Sequence, residues 1–281
     1  MKFKLDTAQL FIPDGVEPAE ALARTTHMAV GAHQDDLEIM AFAGVLACFQ
    51  QQDKWFTGVI VTNGSGSPRD DLYKAYSDEQ MRAVRLVEQK KAAYVGEYAA
   101  QALLDYPSAA IKDGANKDPV ADLTALFEAA KPEVVYTHNL ADKHDTHVGV
   151  TLKVAEAIRA LPESSRPRQL LGCEVWRDLD WMCDDDKTPL DVSAHENLQA
   201  ALLGVFDSQI CGGKRYDLAT MGRRKAHATY HASHGVDEAQ GLTFAMDLTP
   251  LVTGAKTPTQ LVQEHIERFA DEIKARLEKL G

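Results

Sequence analysis

Two clusters of imidazoles and carboxylates carry the chemistry legible in this chain. The first is Gly31-Ala-His33-Gln34-Asp35-Asp36-Leu37-Glu38, and the second is Asp142-x-His144-x-x-His147, at the end of a loop that opens with His138. Either cluster alone is ambiguous, because aspartate at a helix start is commonly an N-cap or a partner of the helix dipole. Both, however, follow a short apolar run and precede a stretch of helical periodicity. They therefore belong at the carboxyl edge of one sheet, where open α/β sheets place their ligands. Two converging clusters are much harder to explain as caps.

The chemistry such a meeting offers is metal-assisted hydrolysis. Catalytic zinc takes three protein ligands and keeps a position for water. His33 and Asp36, three residues apart in a first helical turn, share one face, and His147 completes the set from the second loop. Asp35, beside the ligand Asp36 but directed elsewhere, is then free to deprotonate a water whose pKa zinc lowers to about 7. His144 can hydrogen-bond or protonate an oxygen that becomes negative in a tetrahedral intermediate.

The elements that position these groups read as strand, helix and strand in alternation, the pattern of a parallel sheet with right-handed crossovers. Met28 to Val30 is a strand buried on both faces, and Leu37 to Ala47 continues as one helix. A second strand, Trp55 to Thr62, ends in the loop Asn63-Gly64-Ser65-Gly66-Ser67-Pro68-Arg69. Ser77 caps a helix from Asp78 to Tyr94 whose apolar face is Ala83, Val87 and Tyr94, leaving Arg82, Arg85 and Glu88 on other faces. A strand over Tyr98–Leu104, a helix from Pro119 to Ala130, a strand over Glu133–Thr137 and a helix from Val148 to Leu161 follow. Beyond Pro162 the pattern predicts a strand over Gln169–Trp176, helices over Glu196–Phe206 and Leu218–His231, an edge strand over Leu242–Leu248, and a terminal helix to Leu280 introduced by the capping pattern Thr257-Pro258-Thr259-Gln260. Residues before Thr26 read as an irregular lead-in. The expected whole is an α/β, Rossmann-like three-layer fold with a mostly parallel central sheet. It is one domain over 1–281, with a core at about 26–161 and a C-terminal part, 162–281, that completes fold and pocket.

Composition narrows the partners. Forty-two acidic residues against 30 Lys and Arg give a formal charge of −12, which opposes nucleic acid, since such binding draws its affinity from clustered cations. A small neutral or cationic substrate is easier to reconcile. No stretch reaches the roughly 20 apolar residues of a membrane span, so no membrane partner is expected and the cytoplasm is the default compartment. Cys48, Cys173, Cys183 and Cys211 form no CxxC pair and read as reduced thiols. Homo-oligomers are compatible with the chain.

These motifs resemble, in order, those of the LmbE/PIG-L-type N-acetylglucosaminyl deacetylases: the first cluster, Thr62-Asn63-Gly64, Arg85-x-x-Glu88 with Ala92 and Ala93, the Asp142 to His147 motif, and more weakly Lys225 through Ser233. The resemblance covers most of Thr26 to His234. It implies a zinc-dependent hydrolase that removes an acyl group, usually acetyl, from the amino group of a glucosamine-containing small molecule. Carried across by motif, Zn2+ would be held by His33, Asp36 and His147, with Asp35 as general base and His144 steadying the oxyanion. Arg69 and Asn63 resemble substrate-contacting positions. The chain departs from the family at Gln34, where proline is usual, and at Thr146, where an aspartate that would orient His144 is common.

Trp176, in the distinctive run Glu174-Val175-Trp176-Arg177-Asp178-Leu179-Asp180-Trp181, is available to stack on a sugar ring or simply to pack. His231 reaches the pocket only if its helix folds back over the sheet edge. Other readings keep the metal but change the bond, to another amide or a phosphoester, or drop catalysis for sugar binding.

Overall fold

Each half of the chain contributes strands to one sheet. The structure, a computed structural model, describes residues 1–281. It opens with β1 (Gln9–Phe11) and α1 (Pro18–Ala23), followed by β2 (His27–Gly31), α2 (Asp36–Met40), α3 (Phe42–Cys48) and β3 (Phe56–Thr62). Next come α4 (Asp78–Val95), β4 (Ala100–Tyr106), α5 (Ser108–Lys112), α6 (Asp118–Ala130), β5 (Val134–His138), α7 (Asp145–Ala160) and β6 (Gln169–Cys173). The C-terminal part supplies β7 (Thr188–Asp191), α8 (Glu196–Gly204), α9 (Asp207–Ile210), α10 (Tyr216–Tyr230), β8 (Leu242–Asp247), α11 (Thr249–Val252) and α12 (Pro258–Leu280).

The strand order is β1-β4-β3-β2-β5-β6-β8-β7. The inner strands β4, β3, β2, β5 and β6 run parallel, and β1, β8 and β7 add antiparallel at the two flanks. From β2 the chain winds outward through β3 and β4 on one side, then returns to lay β5 and β6 on the other. The order therefore reverses between β2 and β5, and a crevice opens at their carboxyl ends. Both His/Asp clusters leave the sheet there, one after each strand.

Helices cover both faces, which is why the inner strands can be apolar throughout; β3 is buried at every position. One core of 33 residues lies under α1, α5, α6, α7 and α11, and a second of 22 lies under α2, α3, α4 and α8.

Four features differ from the sequence reading. The helix after the first cluster is two helices, broken at Ala41 (φ −113°, ψ 21°). The buried face of α4 is Met81, Arg85, Glu88, Gln89, Ala92 and Ala93, while Val87 and Tyr94 stand 64% and 54% exposed. Hydrophobicity misassigns that face because its polar members are sequestered by partners: Glu88 accepts hydrogen bonds from the Ser208 N–H (2.7 Å) and Oγ (2.6 Å). The lead-in contains β1, paired with β4. Finally, β8 is an inner strand, and the edge beyond it is β7, whose Pro189 breaks the strand signature. Val192 N–H donates to Gly241 O (2.9 Å), so the alternate residue Pro189 has its nitrogen on the outer rim.

Candidate metal centre and cleft

The turn after β2 places its side chains by a strained backbone. Asp35 has φ 95°, a left-handed conformation that costs a non-glycine residue on the order of 1–3 kcal/mol and persists only where neighbours enforce it. Here the enforcers come from α4: Gln89 Oε1 accepts the Asp35 N–H (3.3 Å), and Arg85 donates to Gln34 O and pairs with Asp35 Oδ2 at 3.4 Å. Arg85 also donates to Ser67 Oγ, which ties in the loop after β3. That loop passes close at Gly64 (φ +67°), where a Cβ would stand 2.2 Å from Gln34 Oε1. Burial pushes the Asp35 carboxyl well above its ordinary pKa, against the pull of Arg85.

Asp36 turns the other way. Its Oδ2 accepts the His33 backbone N–H (2.6 Å) and lies 3.4 Å from His33 Nδ1 and 3.6 Å from His147 Nε2. Burial would raise this carboxyl, but His147 and His138 together hold it well below the usual carboxylate range. His33 Nδ1 and His147 Nε2 are 3.2 Å apart. Tetrahedral zinc with bonds of roughly 2.0–2.1 Å to nitrogen and oxygen sets its ligands about 3.3 Å from one another, so these three atoms are spaced as corners around one ion.

The protonation pattern agrees. His147 Nδ1 faces Asp142 Oδ1 at 3.4 Å, both side chains fully enclosed, which assigns the ring proton to Nδ1 and leaves Nε2 a lone pair aimed at the centre. Asp142 also accepts the backbone N–H groups of His144 (2.9 Å) and Trp176 (3.0 Å). It thus orients His147 rather than the His144 ring, whose missing partner the sequence reading looked for. His144 Nδ1 accepts the Thr146 N–H (3.2 Å) at the N-cap of α7, so the neutral ring carries its proton on Nε2. The ring nitrogens of His33, His144 and His147 lie within 4.8 Å of one another.

His138 ends β5 beneath the centre and is a second neighbour of Asp36, with Nε2 3.4 Å from Oδ2. That nitrogen accepts the Ala32 N–H (2.9 Å), and its ring stacks on His147 at 3.8 Å, so it serves as a floor with its lone pair already spent. Burial keeps it neutral, with a pKa lowered to about 4.

Above the centre is a cleft of about 420 Å³. Its wall includes His33, Asp35, Asp36 and His144 from the centre, Gly64, Gly66, Ser67 and Pro68 from the loop after β3, and Arg85, Ser108, Lys112, Trp176, Lys214 and Tyr216. Trp176 therefore faces the cleft. The other three positions singled out for substrate contact lie outside the wall. Arg69 donates to Ser65 O (2.6 Å) and pairs with Asp78, Asn63 Oδ1 accepts the Ser65 N–H (3.2 Å), and the His231 ring packs 5.2 Å from Phe244. Arg85, Lys112, Lys214 and Tyr216 were not singled out for the pocket by the sequence; only Arg85 carried a signal, through its place in the Arg85-x-x-Glu88 motif.

No helix is long and apolar enough to cross a membrane. Among known proteins, residues 28–158 match the family model described as PIG-L, GlcNAc-PI de-N-acetylase. No curated protein matches the chain. Among solved structures, the 4-carboxy-2-hydroxymuconate hydratase of Pseudomonas putida KT2440 aligns with TM-score 0.62 at 18% identity, over 80% of this chain and 95% of its own. The N,N'-diacetylchitobiose deacetylase of Pyrococcus horikoshii aligns with TM-score 0.58 at 15% identity, over 79% and 84%. A deacetylase of teicoplanin biosynthesis follows with TM-score 0.56 at 12% identity, over 79% and 98%. At these identities the neighbours share the fold, and that fold serves a hydratase as well as deacetylases. The family match spans residues 28–158, the stretch that holds both His/Asp clusters.

Proposed function

We propose that the protein is a zinc-dependent N-deacetylase that removes an acetyl group from a small N-acetylglucosamine-containing molecule, the whole chain acting as one domain. The observation that carries this reading is the triangle of His33 Nδ1, Asp36 Oδ2 and His147 Nε2, with sides of 3.2, 3.4 and 3.6 Å, at the base of a cleft that also exposes Asp35 and His144. The family match and the deacetylases among the structural neighbours support it.

A divalent ion held by those three residues would supply Lewis-acid polarisation of the amide carbonyl and a more acidic water. The remaining chemistry belongs to the chain. Asp35, held by Arg85 on its far side, accepts the proton of the attacking water as its oxygen bonds to the carbonyl carbon. His144, with Nε2–H directed into the cleft, donates a hydrogen bond to the oxygen that gains charge. The C–N bond then breaks, the proton on Asp35 passes to the departing nitrogen, and acetate and a free amine result.

The test is acetate release from N-acetylglucosamine derivatives by protein stripped with chelator and then reloaded with zinc, beside a generic phosphoester. Acetate that appears only after reloading supports the assignment. Phosphoester cleavage without acetate would move the protein to another reaction class.

A further inference from the structure

The acidity of the chain does not extend into the cleft. Of the carboxylates in its wall, Asp36 is committed to the metal triangle and Asp35 to Arg85. Two further cations, Lys112 and Lys214, face the same space, and no carboxylate lies within 4.0 Å of either ammonium group. Some lysines on the surface do find such partners, for example Lys117 with Glu156 and Lys225 with Glu196. Lys214 is also held in place: its Nζ sits 4.8 Å above the Trp176 ring, and its backbone N–H donates to Gln209 O (2.8 Å). Trp176 is fixed in turn by its N–H bond to Asp142, the carboxylate that orients His147. Lys112 ends α5, past the tip of β4, so the two ammonium groups come from separate segments of the wall.

From this arrangement we infer that the substrate carries an anionic group, a phosphate or a carboxylate, that Lys112 and Lys214 bind while its acetamide reaches the metal centre. The inference rests on the deacetylase reading for the acetamide and on the cleft alone for the anion. It runs against the expectation from net charge of a neutral or cationic substrate, because a ligand responds to the local field of the cleft rather than to the total charge. Trp176 and Lys214 lie outside residues 28–158 and Lys112 inside them, so the anion site joins the matched region to sequence beyond it.

The decisive experiment is calorimetric binding to the zinc-loaded protein of N-acetylglucosamine, its 1-phosphate, its 6-phosphate and its 3-O-lactyl ether, with acetate release followed in parallel. At least one of the three anionic probes should bind about tenfold or more tightly than the neutral sugar, with a preference that shrinks as salt rises. The double substitution Lys112→Gln, Lys214→Gln should abolish that preference. Equal binding of neutral and anionic sugars, or a preference that survives the double substitution, would overturn the inference. Acetate released equally from all four would leave the deacetylase reading standing without the anion site. Tight anion-dependent binding with no acetate from any probe would do the reverse.

Discussion

Asp142 Oδ1 stands 3.4 Å from His147 Nδ1, on the side of the imidazole opposite the metal triangle, and neither side chain touches solvent. A carboxylate so placed fixes the tautomer and raises the basicity of the ligating nitrogen. Asp142→Asn should therefore weaken zinc affinity roughly 10–100-fold, read by competition with a chromogenic chelator. An unchanged affinity would make Asp142 a loop staple and nothing more.

Asp35 touches Arg85 and Gln89 but none of the three donor atoms of the triangle. Asp35→Asn preserves its shape and removes its basicity. Zinc content by elemental analysis should stay near that of the unmodified protein, while acetate release falls on the order of 10²–10⁴-fold. Undiminished turnover would remove the base assignment.

Acid stability should depend on Glu174. This buried carboxylate accepts the Leu179 N–H (2.6 Å) and the Phe244 N–H (3.0 Å) and lies 3.1 Å from His227 Nε2. Burial opposes its ionisation, yet His227 and the backbone donors win, and its pKa falls below the ordinary 4.5. A carboxyl depressed on folding stabilises the protein above its unfolded value, and that contribution fades as pH drops through the folded value. Unfolding free energy from urea titrations should thus decline below about pH 4.5. Glu174→Gln should flatten that decline and cost about 1–3 kcal/mol at neutral pH. A pH profile identical to that of the unmodified protein would contradict the assignment.

Gly44 in α3 lies against Tyr136 of β5, where a Cβ would meet Cε2 at 2.6 Å. Gly44→Ala gains up to about 1 kcal/mol of helix propensity but overpacks a close contact at about 1–3 kcal/mol. The expected outcome is a net loss in chemical denaturation. A stabilised variant would show that the ring yields freely.

The sequence made the centre legible because its signal is local: each histidine cluster sits in a turn bounded by an apolar strand and a periodic helix. Their adjacency needed one topological fact, that β2 and β5 are neighbours at the point where strand order reverses. The cleft wall was less legible. Lys112, Lys214 and Tyr216 carry no motif and are brought together by segments far apart in the chain. Arg85 and Glu88 fall off the apolar face that periodicity picks out on α4, because periodicity counts apolar residues, whereas this helix buries an arginine and a glutamate against specific partners. β7 escaped for the opposite reason, a strand that contains proline.

Pro189 has a further effect on how molecules meet. A neighbouring chain laid along β7 to extend the sheet would find a ring methylene where it needs an amide hydrogen, while the far border, β1, offers only Gln9–Phe11. Pro189 thus blunts the β7 flank and shortness limits the β1 flank, which disfavours fibril-like growth along a shared ladder.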